Sequence, residues 1–129
     1  MFADTHTRDK SLVRYVLERL HKNSHPIPAA DYSKFSIEHV RPQSHINTEE
    51  DLLTVGSIGN LLFVDETVNG RLGNKSFSKK KEILGEFSGS YDMDDILSCS
   101  RWGKREIDSR ARRLGELAFD SVWRLRSTG

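Results

Sequence analysis

The chain is poor in cysteine, proline and long apolar runs, and each shortage excludes something. A single cysteine, Cys99, leaves no internal disulfide and no cysteine-rich zinc cage. The histidines His6, His21, His25 and His45 show no metal-ligand spacing with it, so a zinc site is not expected. No apolar run approaches the ~18 residues of a membrane span, and Met1-Phe2-Ala3-Asp4 does not read as a secretory signal. A cytoplasmic setting is the expectation. An excess of either charge is also lacking: 20 Lys and Arg against 19 Asp and Glu leave +1, which excludes a protein held to a polyanion by bulk charge. Any polyanion must be met by a local patch. What is present suffices for a core, since 36% hydrophobic and 30% charged residues in a chain of 129 describe one globular domain.

Residues 9 to 22 read as a helix, with Leu12, Val13, Val16, Leu17 and Leu20 in one stripe. Ser24, Pro26 and Pro28 end it. The alternation in Phe35-Ser36-Ile37-Glu38-His39-Val40 predicts a half-buried strand, halted by Pro42. Gln43 to Val55 is polar and acidic, a loop with a short helical turn. A second strand is expected over Ser57 to Val64, then a turn at Asp65-Glu66-Thr67. A glycine-punctuated helical stretch from Val68 to Asn74 continues through Phe77, Ile83 and Leu84. Gly85 to Asp95 reads as a polar, acidic connector. A last helix from about Ser100 to Arg126 places Ile107, Arg110, Ala111, Leu114, Ala118, Val122 and Leu125 on one face, with Arg110 turned inward. The fold class is α+β and mostly α, a strand pair and helix flanked by an N-terminal helix and a long C-terminal one.

Three features of this chain suit chemistry: Glu38-His39 at a strand end, Asn60 beside the next strand, and Asn69 entering the following helix, nine residues later. The pattern Ile37-Glu38-His39-Val40-x-Pro42-Gln43-Ser44, then Gly59-Asn60-Leu61, then Asn69, resembles the HNH (ββα-metal) nuclease motif, in which aspartate is usual where Glu38 stands. The flanks narrow the resemblance: Arg14-Tyr15-Val16-Leu17, then Asn74, Phe77 and Lys80, then Trp102, Ile107, Arg110, Leu114 and Trp123. They are similar to the C-terminal HNH domain of GmrSD-type restriction enzymes and of SspE-like phosphorothioate-sensing nickases, across residues 9 to 124. The resemblance implies a single HNH domain over 1–129 with a ββα-metal core at about 34–84, a DNA endonuclease activity in anti-phage defence, and an N-terminal NTP-binding sensor domain or subunit. No G-x-x-x-x-G-K-[ST] phosphate loop occurs here, so that sensor is a further domain or a separate chain.

The chemistry can be argued from the side chains. Phosphodiester hydrolysis needs a deprotonated water, and neutral imidazole matches that task at pH 7, so His39 is the expected general base. Glu38 and Asn69 offer oxygen ligands, favouring Mg²⁺ or Mn²⁺ over zinc. Adjacent strand residues point to opposite faces, so Glu38 and His39 require the strand to bend or end there, near Pro42. Asn60 stands with the catalytic group, either as a structural amide tying the 41–55 loop to the second strand or as a ligand. Asn74 beside Gly73 reads as a cap, and Trp102 and Trp123 as core. Arg71, Lys75, Lys79, Lys80 and Lys81 put five cations in eleven residues with no acid among them, a DNA-backbone clamp to which Arg41 is added. Two other readings stay open: a non-catalytic DNA-binding or interaction module with this fold, and an RNA-cleaving enzyme of the same type.

Overall fold

The structure, a computed structural model, describes residues 10–27 and 30–128, with side chains as far as residue 120. Helix α1 (Lys10–Ser24) turns Val13, Leu17, Leu20 and His21 into the core, the i, i+4, i+7, i+8 spacing of one helical face. Leu12, expected in that stripe, is 47% exposed. Arg14 on α1 donates to Tyr32 O and Phe35 O, both at 2.6 Å, and its guanidinium lies 5.1 Å from the centre of the Phe63 ring. It thereby fixes the helix against the start of the first strand.

Strand β1 (Phe35–His39) pairs antiparallel with β2 (Leu61–Asp65), with Phe35 opposite Asp65 and His39 opposite Leu61. The second strand begins four residues later than Ser57. Residues Ile58–Asn60 form a 3-10 turn instead, started by Ser57 Oγ accepting from Gly59 N. Gly59 explains why no strand fits there: an added Cβ would collide with the Ile107 carbonyl oxygen and stand 2.7 Å from Ala111 N. Backbone approaches backbone at that point, and only glycine permits it.

Asp65-Glu66-Thr67 is not a turn between elements but the start of helix α3 (Glu66–Leu72), capped by Asp65 Oδ1 accepting from Thr67 N at 2.9 Å. The glycine-punctuated stretch is two helices. Gly73, with φ at +49°, breaks α3 from α4 (Phe77–Gly85), and Ser76 rather than Asn74 caps α4. Between β1 and the 3-10 turn lies α2 (Glu49–Val55), capped by Thr48 and carrying three acids in its first turn, where the helix dipole favours them.

The acidic connector is more than a solvated link. Tyr91 and Met93 are buried in it, and its last residues begin helix α5 (Asp94–Ser98), which buries Ile96. Its apolar side chains go inward, while Asp92 and Asp95 meet Arg110 and Arg113 of the last helix, α6 (Lys104–Thr128). Ile107, Arg110 and Leu114 form the inward face of α6, and Trp102 is buried; Val122, Trp123 and Leu125 lie outside the described side chains. The result is a mostly helical α+β fold around a two-stranded sheet. One sheet face presents Phe35 and Phe63 to Tyr32, Tyr91 and His21 of α1. The opposite face carries Ser36 and Glu38 toward α3 and α4, by the alternation of a strand. Among the described residues no helix is long and apolar enough to cross a membrane.

Candidate active site

The end of β1 is where the candidate residues gather. The strand stops at His39, and Arg41-Pro42 leads into a 3-10 turn over Gln43–His45, with Pro42 extended at ψ 151°. Both neighbours belong to the strand: Glu38 is buried at 5% exposure, and His39 is half-buried at the strand's last position.

Glu38 faces α4. Its Oε2 lies 2.9 Å from Lys80 Nζ, an ion pair with both side chains sequestered from water. Apart from this ion pair the oxygen is buried with no hydrogen-bond partner. The protons of Lys80 go to main-chain acceptors, His39 O at 2.8 Å and Val40 O at 3.1 Å. Burial pushes the Glu38 carboxyl above the ordinary range, and the Lys80 ammonium offsets part of that rise.

Asn69 reaches β1 from α3. Its Nδ2 donates to Ser36 Oγ at 2.6 Å, with Ile37 O at 3.5 Å. Ser36 and Glu38 share a strand face and are about 7 Å apart along it. A carboxamide from a helix thirty-odd residues away is thus hydrogen-bonded to the strand that bears Glu38 and His39. Amide tethering through Nδ2 leaves Oδ1 as the available end. The Glu38 carboxylate and the tethered Asn69 amide oxygen are hard donors, the kind Mg²⁺ or Mn²⁺ takes, although the Lys80 ammonium already faces Glu38 Oε2. No cluster of three His, Cys, Asp or Glu occurs among the described residues.

Asn60 is a different kind of residue. It is fully buried, and its side chain is saturated: Oδ1 accepts from Arg41 N at 2.8 Å and Trp102 Nε1 at 3.0 Å, while Nδ2 donates to Arg41 O and Val55 O, both at 2.9 Å. Both lone pairs and both protons are used. Of the two readings of Asn60, these bonds are those of the structural amide rather than of a catalytic group or ligand: it ties the two ends of the 41–55 segment and Trp102 to the turn before β2. Arg110, only 3% exposed, supports that turn from α6, donating to Leu61 O at 2.8 Å and Asp92 O at 2.7 Å.

The expected clamp separates into unlike parts. Lys80 does not belong to it, because it lies on the inward stripe of α4 with Phe77 and Leu84 and is 1% exposed. That stripe was the missed signal: three positions at helical spacing, two of them apolar. Arg71, Lys75 and Lys79 are exposed; Arg41 and Lys81 are half-buried. Arg71 forms a two-pronged pair with Glu86 at 3.2 and 2.8 Å, which raises its own pKa and lowers that of Glu86. Arg41 pairs with Asp51 at 3.0 Å, and Lys81 Nζ donates to Cys99 O. Lys75 Nζ donates to Arg71 O, and Lys79 stands 3.5 Å from Glu82.

Residues 1–117 match the family model of the GmrSD restriction endonucleases, C-terminal domain. No curated protein and no solved structure matches.

Proposed function

Because the chain belongs to the C-terminal domain family of the GmrSD restriction endonucleases, we propose that it is a metal-dependent DNA endonuclease of HNH type, serving as the effector in anti-phage restriction. The family is one of nucleases; the metal, the strand chemistry and the biological role are the finer part of the reading. The observation that supports it most is the gathering on β1: Glu38 and His39 on its last two positions, and the Asn69 amide hydrogen-bonded to Ser36 of the same strand.

In this reading Glu38 and Asn69 hold Mg²⁺ or Mn²⁺. A bound ion of this kind supplies Lewis-acid stabilisation of charge growing on the phosphate. The His39 imidazole accepts the proton of the attacking water as that oxygen bonds to phosphorus and the bond to the leaving oxygen breaks. Asn60 keeps the 41–55 segment in register with the two strands. Arg71, Lys75 and Lys79, exposed on α3, α4 and the link between them, offer charge to the DNA backbone. Phosphate contacts carry no base information, so low intrinsic sequence preference follows. An NTP-binding sensor domain or subunit then supplies the choice of target.

Supercoiled plasmid incubated with Mg²⁺ or Mn²⁺ tests the proposal. Conversion to nicked or linear DNA, lost in EDTA and in His39→Ala, is expected. Retardation of DNA without cleavage in either metal supports a binding module instead, and preferential loss of an RNA substrate supports the RNA-cleaving alternative.

A further inference from the structure

Lys80 is the least explained buried charge in the molecule. An ammonium at 1% exposure is costly to strip of water, and a methionine on this apolar stripe of α4 would fill the same space without that cost. All its polar neighbours lie at the end of β1: it donates to His39 O at 2.8 Å and Val40 O at 3.1 Å, and Glu38 Oε2 pairs with its charge at 2.9 Å.

The main chain there is held from both sides. In the peptide joining His39 to Val40, the carbonyl accepts from Lys80 and the N–H donates to Asn60 O at 3.0 Å. In the next peptide, the Val40 carbonyl accepts from Lys80 and the Arg41 N–H donates to Asn60 Oδ1 at 2.8 Å. Two consecutive peptide planes after His39 are therefore fixed at every polar atom. The pairing of Glu38 with Leu62 holds the chain before His39, so the first of these planes completes the backbone geometry of residue 39 and with it the direction in which its side chain leaves the strand, while the second fixes Val40.

Resting on the nuclease reading, we propose that Lys80 is a positioning residue for His39, acting through the two carbonyls and through Glu38 rather than by touching DNA. A displacement of a reacting group by about 1 Å can cost ~100-fold in rate. Lys80→Met is accordingly expected to lower kcat on plasmid or oligonucleotide DNA by about 10- to 100-fold, with KM within about twofold of wild type. The His39 ring signals in NMR spectra of the metal-free protein should shift or broaden in the same variant. A folded Lys80→Met chain with wild-type kcat, with its loss confined to KM, or with unmoved His39 signals overturns the proposal. Because Lys80→Met strands the Glu38 carboxylate, the paired variant Glu38→Gln with Lys80→Met is compared with Glu38→Gln alone. His39 signals that differ between these two support positioning through the carbonyls, and identical signals overturn it. A wild-type chain that cuts no DNA in either metal defeats the nuclease reading instead, and the ring signals still decide whether Lys80 holds residue 39.

Discussion

Two asparagines nine positions apart illustrate how environment assigns roles to one residue type. Asn60 is wholly buried with four hydrogen bonds, whereas Asn69 is half-buried and tethered through its amide nitrogen to Ser36. Asn60→Ala leaves Trp102 Nε1, Arg41 N and Val55 O without their partner, and each orphaned group costs about 1–3 kcal/mol. We expect a loss of about 3 kcal/mol or more in urea unfolding, while Asn69→Ala loses under about 1 kcal/mol yet abolishes cleavage. Equal effects of the two on stability would refute this division. His21 gives a pH prediction. It is 4% exposed among Tyr32, Phe35, Phe63 and Tyr91, with Nε2 lacking a hydrogen bond beside a cavity of about 20 Å³. Burial, aided by the charge of His25, lowers its pKa from 6.5, and Asp92 opposes that in part. The folded state then binds fewer protons than the unfolded one, so stability is intact above about pH 6.5 and falls as pH drops below it, by at most about 1.4 kcal/mol per pH unit. Urea midpoints at pH 5.5 and 7.5 measure this, and His21→Phe should flatten the difference.

At the level of elements, the turn Ile58–Asn60 is held by its contact with α6 rather than by its own propensity. Gly59→Ala forces two backbones apart and should cost about 1–3 kcal/mol or more, whereas Gly85→Ala, where an added Cβ meets nothing within 4 Å, should stay within about 0.5 kcal/mol. Thermal melts of the two variants make the comparison. The same contact shows which parts of the fold were legible in sequence. α1 and β1 announced themselves because periodicity reports local burial: Val13, Leu17 and Leu20 on one helix face, and a strand halted before Pro42. Ser57 to Asn60 read as strand because apolar residues follow it without a break, and nothing local reveals that α6 stands against Gly59. Asp65 looked like a turn residue because a cap and a turn use the same chemistry. In the candidate site, Glu38, His39 and Asn69 were expected from the resemblance to the HNH motif, and the structure brings the Asn69 amide onto the strand that bears the other two. Lys80 was misread because three consecutive lysines present themselves as one exposed run, although only the middle one falls on the stripe of Phe77 and Leu84. The saturation of Asn60 was beyond sequence altogether, since its partners Trp102 and Val55 belong to other elements.

Across the whole molecule, the end of β1 is supported from α4 by Lys80 and from the turn before β2 by Asn60, and that turn is held in its place from α6 by Arg110. Distant elements thus converge on one strand terminus, which is how a scaffold holds a reacting group with little freedom. Arg110 is nearly enclosed, so Arg110→Met should cost about 2–5 kcal/mol, leaving the Leu61 and Asp92 carbonyls without their donor while Asp95 keeps Arg113. Arg113 carries two ion pairs but is 38% exposed, and Arg113→Ala should cost no more than about 1 kcal/mol. If the same scaffold accepts a divalent ion through Glu38 and Asn69, binding must raise the stability of the whole domain by mass action. At an ion concentration near 100 times Kd the gain is about 2.7 kcal/mol, several degrees in Tm for a domain of this size. Differential scanning calorimetry without DNA isolates that linkage from catalysis. The Mn²⁺-induced rise in Tm should vanish in Glu38→Gln and in Asn69→Ala but persist in His39→Ala, which loses cleavage alone. A rise that survives both ligand substitutions places the ion elsewhere on the molecule, and a rise lost in His39→Ala makes the imidazole a ligand instead of the base.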